Sequence, residues 1–354
     1  MTEYNGQMSK ICIVPKVDGI GGMASFRLKF EQGLRERGVD VTHDLSEDSD
    51  AALVIAGTRN LIPLWRARQR GRRVVQRLDG INWVHRKRNT GLKHYLRAEY
   101  GNLVLSFIRR FIATDIIYQS EFSRDWWERK YGKTRVPFAV IHNGIDLNAY
   151  SVKRDNIPLY PPFRLLLVEG NLGGGYDMGL DNAIALTETL IEKHNLPVEL
   201  MAVGKISDDH RQRVEAKTRA PIQWMGSVPR ERIPEIMRSA HLFFSADLHP
   251  ACPNSVIEAL ACGLPVVGFD TGAVKELVIG DAGRVVPYGS NSWNIEPPDI
   301  SALAVVAKEI LQNQPHFSQA ARTHAESALG LDKMVDAYLK VLLTTKGHEG
   351  TQRF

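Results

Sequence analysis

The sequence predicts an α/β protein made of two consecutive domains, each with a parallel sheet. At 354 residues, the chain exceeds the usual size of one domain and suits two. Short apolar segments alternate with stretches of helical periodicity along its whole length, a pattern typical of parallel-sheet folds. The segment at residues 150–163 has no periodicity and contains Pro158, Pro161 and Pro162, so we interpret it as a linker.

The first elements of the chain predict a βαβ unit. An apolar strand at residues 10–15 leads into a turn with Gly21 and Gly22, and a helix follows over residues 23–37. Gly38 ends this helix, and a second strand begins directly after it. Two strands joined through one helix imply a parallel sheet.

The same alternation predicts the remaining elements. In the first domain we expect strands at residues 51–56, 72–78, 115–119 and 138–141 and helices at 92–113 and 123–131. In the second domain we expect strands at 163–168, 198–203, 222–225, 242–245 and 265–269 and helices at 180–194, 208–217, 230–239, 255–262, 273–278, 299–313 and 317–327. The domain boundaries are therefore predicted at residues 1–157 and 158–330. A last helix, within about 331–354, is expected to pack back on the first domain.

Cysteine usage and hydropathy bear on the compartment. Cys12, Cys252 and Cys262 form no C-x-x-C pair, so the sequence predicts neither a metal site nor a redox motif and favours a reducing compartment. No apolar run approaches the roughly 20 residues that span a bilayer, and the N-terminus lacks signal-peptide features. We expect a cytoplasmic protein that meets a membrane only peripherally, at the inner face.

Charge is distributed unevenly between the two halves. Residues 1–150 hold 25 Lys and Arg against 16 Asp and Glu, whereas residues 151–354 hold 20 against 24. The basic half is compatible with a solvated surface, an anionic membrane or an anionic acceptor. No nucleic-acid-binding motif accompanies the charge, so nucleic acid is not an expected partner.

The strongest motif for chemistry surrounds a predicted helix start. A loop opens into a helix near Asn254 and Ser255, Val256 follows in the first turn, and Glu258 lies one turn in. The first N–H groups of a helix have no internal partners, and the helix dipole favours an anion there. Glu258 could accept hydrogen bonds from a ribose diol. The alternative is an ordinary Asn or Ser cap followed by a surface glutamate.

At these residues the sequence resembles the retaining glycosyltransferases of family 4. The resemblance is carried by the run from Asn254 to Val267 and by Thr271-Gly272 and Glu276-Leu277. Weaker similarities are found at Gly21-Gly22, Asn143 to Asp146, Val203-Gly204 and Gly226 to Val228. The resemblance implies the GT-B fold, in which two Rossmann-like domains face each other across a cleft. The first would then be the acceptor domain and the second the nucleotide-sugar domain.

The resemblance also implies roles for individual residues. Glu258 would bind the nucleotide ribose, and the backbone at Asn254, Ser255 and Val256 would meet the diphosphate. Gly21 and Gly22 would let the backbone approach the donor closely. The donor would be a nucleotide sugar, with UDP- or GDP-sugars expected, and the acceptor a glycan, a lipid-linked sugar or a small metabolite. Neither a metal nor a cofactor would be needed.

Several positions depart from the family pattern. Pro250 stands where an acidic residue usually holds the donor sugar, and Asp247 or His249 are candidate substitutes. Asn171 and Met178 stand where the family usually has cations that clamp the diphosphate. The candidate replacements are the anion-binding loop Gly173-Gly174-Gly175, together with Lys205 and Arg230 or Arg232.

Two residues of the first domain are candidates for catalysis. Asp79 follows a strand at its carboxyl end, where ligands bind in parallel sheets, and could bind a sugar hydroxyl. The alternative is an Asp that starts a turn before Gly80. His85 lies a few residues further on, and a structural histidine is the alternative interpretation there.

The sequence therefore predicts a retaining, metal-independent glycosyltransferase that moves a hexose from a nucleotide sugar to a hydroxyl. A non-catalytic GT-B accessory or acceptor-binding protein is the main alternative, because cations are missing from the donor site. A dinucleotide oxidoreductase is a third hypothesis, based on the spacing of Gly173, Gly175 and Gly179. It is disfavoured because no acidic residue ends the following strand.

Overall fold

A computed structural model describes residues 9–19, 21–88, 90–152, 161–173 and 177–343 of the chain. The described residues form two compact units. The first unit comprises the chain up to Gly144 together with the segment from Leu331, and the second comprises residues from Ile145 to Gly330.

The first unit is built around a six-stranded sheet. Its elements are β1 Lys10–Val14, α1 Gly22–Arg35, β2 Asp40–Thr42, β3 Ala51–Ile55, α2 Leu61–Gln69, β4 Arg73–Leu78, α3 Leu92–Phe107, β5 Asp115–Tyr118, α4 Glu121–Tyr131 and β6 Phe138–Val140. The strand order is β2-β1-β3-β4-β5-β6, and every pairing is parallel. The βαβ interpretation of the opening segment is confirmed.

The second unit repeats this architecture with another strand order. Its elements are β7 Phe163–Asn171, α5 Asp177–Glu192, β8 Val198–Lys205, α6 Asp208–Glu215, β9 Ile222–Gly226, α7 Ile233–Arg238, β10 Leu242–Ser245, α8 Asn254–Ala261, β11 Val266–Phe269, α9 Val274–Leu277, β12 Gly283–Val286, α10 Ile300–Gln312 and α11 Gln314–Ala328. The order β12-β11-β10-β7-β8-β9 is again fully parallel. The predicted α/β class with two Rossmann-like sheets is confirmed.

The helix α12 (Leu331–Leu343) belongs to the first unit although it follows the second in sequence. It packs on α1, where Tyr338 lies 5.3 Å from Phe26 and 5.1 Å from Phe30 between ring centroids. Gly33 makes this approach possible, because a Cβ at that position would stand 2.6 Å from a methyl of Val335. Burial of this apolar face is the main source of stability for the contact.

The boundary between the units lies earlier than the prolines suggest. Ile145 and Tyr150 are buried in the core of the second unit. Arg322 holds the same segment through hydrogen bonds to the carbonyl oxygens of Tyr150 and Leu147. Residues 145–152 therefore pack with the second unit, whereas residues 153–160 lie outside the described part of the chain.

Two elements were not expected from the sequence, and one expected helix is interrupted. The unexpected elements are α2, which carries Pro63 and two arginines, and β12, which is four residues long. The helix predicted over residues 92–113 is regular only to Phe107 and continues as a π-helical turn at Ile108–Ile112. Within the described ranges, no helix is long and apolar enough to cross a membrane.

Candidate functional site

The carboxyl edge of the second sheet contains the point where the strand order reverses. β7 lies between β10 on one side and β8 on the other. The chain runs from β7 outward through β8 and β9, then crosses to β10 and runs outward through β11 and β12 in the opposite direction. Open parallel sheets bind ligands in the crevice outside the carboxyl ends of such strands. The last residues of β7 bring Glu169 and Asn171 to this crevice, and the loop after β10 brings Asp247.

The N-terminus of α8 opens next to the same edge. Pro253 is the cap residue, and no side chain caps the helix. No acidic residue lies in the first turn, so the helix dipole there favours an anion. The alternative of an Asn or Ser cap is therefore wrong, because Asn254 and Ser255 are already helical. Val256 is fully buried, backbone included, whereas Asn254 and Ser255 are partly exposed.

Glu258 lies one turn into α8 and belongs to a charged group. Its carboxylate is 3.8 Å from the guanidinium of Arg230, and its side chain is only 12% exposed. Tyr150 is buried close to both residues, and both influence the pKa of its hydroxyl. Burial and the charge of Glu258 raise the pKa of the Tyr150 hydroxyl. Glu258 is therefore fixed in place with a cation beside it, and the phenol stays protonated at neutral pH.

The two candidate arginines are in different environments. Arg230 starts a 3-10 turn and faces Glu258. Arg232 instead pairs with Glu235, one turn further along, and both side chains are 62% exposed. Only Arg230 therefore lies where a positive charge could contribute to the α8 site.

A pair of carboxylates at the switch point was not identified from the sequence. Glu169 lies in a β-bulge near the end of β7, and Asp247 follows β10, the neighbouring strand. Burial and the negative charge of Asp247 raise the pKa of Glu169 well above its usual range. A carboxylate at the end of a buried apolar strand is the signal that could have indicated this position. Such groups hydrogen-bond hydroxyls in either protonation state.

The loop after β7 is described only in part. Asn171, at the exposed end of β7, accepts a hydrogen bond from the N–H of Gly173 at 3.3 Å. Gly173 is buried, and a Cβ there would stand 2.7 Å from Nδ1 of His210. Lys205 ends β8 beside Asn171 with an exposed side chain. The predicted anion-binding residues Gly174 and Gly175 lie outside the described part of the chain.

The segment before α8 is held in a specific conformation. His249 is buried, adopts a positive φ of 55° and stacks on Trp293 at 3.6 Å between ring centroids. Pro250 packs against Gly272, where a Cβ would stand 2.4–2.5 Å from proline atoms. His249 is therefore anchored in the loop, and Asp247 is the more exposed of the two candidate substitutes.

In the first unit, Asp79 forms part of a network at the carboxyl edge of the sheet. Arg77 donates to Oδ1 of Asp79 at 2.6 Å and to Oδ1 of Asn143 at 2.9 Å. Gln119 also donates to the Asp79 carboxylate, and the Arg77 guanidinium lies 3.9 Å above the ring of Phe26. Arg77 is 2% exposed and Asp79 is 32% exposed at the side chain. Asp79 thus neutralises a buried cation while one side of it remains accessible.

His85 is enclosed rather than presented at the surface. Its Nε2 lies 2.9 Å from Oε1 of Glu99, and its side chain is 1% exposed. The edge of its ring meets Tyr95 at 5.0 Å. Hydrogen bonds from Arg86 and His85 lower the pKa of Glu99 to about 2. This arrangement favours the structural interpretation of His85, and its catalytic role stays a prediction.

The glycine turn of the first unit lies at the start of α1. Gly21 is the cap residue, Gly22 begins the helix, and both are exposed. No side chain caps this helix, and a Cβ on Gly21 would meet nothing within 4 Å. The turn thus leaves open space above a helix N-terminus, where a ligand could approach.

Comparisons with known proteins identify the type of domain. Residues 164–313 match the sequence model of the family described as Glycosyl transferases group 1. Over 103 residues, the chain is 31% identical to the O-antigen chain mannosyltransferase B of Escherichia coli. The aligned segment covers 29% of this chain and 24% of that protein. The matched part thus spans about a quarter of the length of that curated relative.

Solved structures resemble the chain over most of its length. A sucrose-phosphate synthase from Thermosynechococcus elongatus superimposes with a TM-score of 0.71 at 15% identity and covers 96% of this chain and 100% of that one. HepE from Anabaena, solved in complex with UDP-glucose, superimposes with a TM-score of 0.68 at 16% identity and covers 95% and 100%. The chain therefore has the GT-B fold of these solved structures, and residues 164–313 of its second unit are similar to the group 1 glycosyl transferases.

Proposed function

We propose that the protein is a glycosyltransferase that moves a hexose from a nucleotide sugar, a UDP- or GDP-sugar, to a hydroxyl acceptor. The observation that carries this proposal is the uncapped N-terminus of α8, with Glu258 and Arg230 fixed beside it. It lies in the segment that matches the group 1 family. That HepE was solved with UDP-glucose supports a nucleotide-sugar donor.

In this proposal the second unit binds the donor. The N–H groups of Asn254, Ser255 and Val256 receive the diphosphate, because the helix end supplies positive potential without a side-chain competitor. Glu258 accepts hydrogen bonds from the ribose hydroxyls. Arg230 contributes positive charge, which offsets part of the loss of cations at Asn171 and Met178.

The chemistry proposed for the site is transfer with retention of configuration and without a metal, as in the family that the chain resembles. The protein then acts by positioning the reactants and by stabilising charge on the departing phosphate. Asp79 is proposed to hydrogen-bond a sugar hydroxyl through its accessible side. His85 would position that region of the first unit through Glu99.

The acceptor is proposed to be a glycan or a lipid-linked sugar. Contact of the basic first unit with an anionic membrane from the cytoplasmic side is part of this proposal, because it would bring the protein to a lipid-linked acceptor.

A thermal-shift and calorimetry series tests the donor site. We expect one of UDP, GDP, ADP or TDP to raise the Tm, since a ligand of the folded state stabilises it. Glu258→Ala should weaken binding of that nucleotide about tenfold or more, because a charge-assisted hydrogen bond is lost. Glu235→Ala is the matched control, since Glu235 pairs only with Arg232 in an exposed position. Equal affinities of the two variants would contradict the assignment of Glu258.

A non-catalytic role is favoured by one observation. Asn171 replaces a cation and uses its side chain to cap Gly173, so this strand end supplies no positive charge to a diphosphate. Product analysis with the nucleotide sugar that binds, over a broad set of acceptors, separates the two functions. Binding without any transfer or hydrolysis would support the accessory protein and overturn the enzyme.

A further inference from the structure

Almost all of the exposed large apolar side chains lie in the first unit. Of the 13 such side chains among the described residues, 11 lie in the first unit and two, Ile279 and Val305, in the second. Nine of the 11 fall within residues 62–111. Single exposed apolar residues are ordinary, but a concentration in one region marks an interaction surface.

Five of these side chains lie along one face of α3. We call this face the α3 stripe, and its members are Leu92, Leu96, Tyr100, Leu103 and Phe107. With 3.6 residues per turn they fall within an arc of about 80°. Leu92 is 74% exposed and Leu103 is 65% exposed. The opposite face packs into the unit through Ala98, Asn102 and Leu105.

The stripe continues beyond the end of α3. The ring of Phe111, in the π-helical turn, lies 5.1 Å from that of Phe107, and Phe111 is itself exposed. Arg68 of α2 donates a hydrogen bond to the carbonyl oxygen of Phe111. The outer face of α2 adds Ile62 and Trp65 beside this turn. The 16 residues of α3 alone give the surface a length of about 24 Å.

The region around the stripe is strongly cationic. Residues 51–110 contain 14 Lys and Arg against two acidic residues, Asp79 and Glu99. Both acidic side chains are engaged by arginines, Asp79 by Arg77 and Glu99 by Arg86. The exposed cations near the stripe are Arg66, Arg70, Lys93, Arg97 and Arg110. The apolar face is therefore bordered by positive charge that has little local compensation.

We propose that the α3 stripe, with Phe111, Ile62 and Trp65, is a surface that inserts into the headgroup region of an anionic lipid bilayer. An amphipathic helix with aromatic residues on its apolar face and Lys and Arg beside it binds in this manner. A second copy of this chain is a poorer partner, because a two-fold contact would bring the same basic region against itself. This inference names the surface for the membrane contact that is part of the proposed function. It rests on that function only for the lipid-linked acceptor that would be reached at the membrane.

Vesicle sedimentation of the full chain, without nucleotide, tests the surface. The probes are vesicles of phosphatidylcholine alone and of phosphatidylcholine with phosphatidylglycerol, at low salt. The wild type should sediment with the anionic vesicles and much less with the neutral ones. Leu96→Glu with Leu103→Glu should lower partitioning about tenfold or more. The matched control, Ile279→Glu with Val305→Glu, places the same charges on exposed apolar positions of the second unit and should bind as the wild type does.

The outcomes separate the hypotheses. Equal sedimentation of the two double variants, or no sedimentation of the wild type with anionic vesicles, would overturn the proposal. A wild-type dimer in sedimentation equilibrium that Leu96→Glu with Leu103→Glu dissociates would also overturn it, in favour of self-association. Nucleotide binding measured on the same samples reports on the transferase proposal separately, because neither leucine belongs to the donor site.

Discussion

The two units have the same type of sheet, and each has an uncapped helix N-terminus, but the charged side chains at the carboxyl edge differ between them. In the first unit, Arg77 and Asp79 neutralise each other within a hydrogen-bonded network. In the second, α8 presents an uncapped N-terminus, and Glu169 carries a raised pKa beside Asp247. A neutralised edge suits hydroxyl groups, whereas an uncapped helix end suits an anion. In the proposed function, the first of these edges receives the acceptor and the second the donor.

The largest effect is expected from breaking the network of the first unit. Asp79→Ala leaves the buried Arg77 without its carboxylate. The free energy of unfolding of that unit should therefore fall by about 3 kcal/mol. Asp125→Ala, which removes an exposed partner of Arg124, should cost less than about 0.5 kcal/mol. Urea unfolding followed by circular dichroism measures both. Similar losses in the two variants would show that the Arg77–Asp79 pair is no more important than a surface ion pair.

The next effect concerns the charge beside α8. Arg230→Ala should raise the Kd for the nucleotide about tenfold, because one cation near the diphosphate is lost. Arg232→Ala should change it by less than about twofold, since Arg232 pairs with Glu235 in an exposed position. Isothermal titration calorimetry distinguishes the two. A larger loss for Arg232→Ala would contradict the site geometry.

A smaller effect is expected from the carboxylate pair. The pKa of Glu169 is raised above its usual 4.5 in the folded state. At pH values between the unfolded-state pKa and the folded-state pKa, the folded chain therefore holds a proton that the unfolded chain has released. Stability contributed by this group therefore falls as pH rises through that window. Glu169→Gln should flatten the decline of Tm from about pH 5 to pH 8 and raise the Tm at pH 8 by up to about 2 °C.

Differential scanning calorimetry across this pH range measures the effect. Asp247→Asn should act in the same direction, since it removes the other charge of the pair. A lower Tm for Glu169→Gln at pH 8 would show that the two carboxylates do not repel each other.

The smallest effect on stability is expected at the glycine turn of the first unit. Gly21→Ala should change the free energy of unfolding by less than about 0.5 kcal/mol, because φ is −72° and nothing lies within 4 Å of the new Cβ. If the donor approaches this turn closely, kcat/KM should nevertheless fall. Unchanged stability together with unchanged kcat/KM would remove the turn from the site.

The fold could be predicted from the sequence largely because apolar periodicity is a local property. The strands and glycine turns of both units follow from it. It failed at α2, where Pro63 and two arginines hide the helical pattern, and at β12, where Gly283 and Arg284 leave only two apolar residues in the strand. Periodicity also predicted α3, but it does not distinguish a buried apolar face from an exposed one, so the α3 stripe was not foreseen.

The candidate site was predicted only where it is continuous in sequence. The segment from Asn254 to Glu258 could be recognised because loop and helix start are adjacent. Tyr150 was assigned to the linker, although it packs beside Glu258. Glu169 follows the strand predicted over residues 163–168 and was given no role, since its neighbour Asp247 comes after another strand. Residues that are distant in sequence come together here because of the strand order in the sheet, and the sequence alone does not predict that order.

The placement of α12 has a consequence for biosynthesis. Residues 145–330, which form the second unit, are contiguous, whereas the core of the first unit needs Val335 and Tyr338 from α12. A ribosome delivers these residues only after the whole second unit has emerged. We therefore expect the unit encoded second to complete its core first. Until α12 has been synthesised, α1 lacks its packing partner for Phe26 and Phe30. We expect chaperones to bind the nascent first unit at this stage, because exposed apolar surface is prone to aggregation.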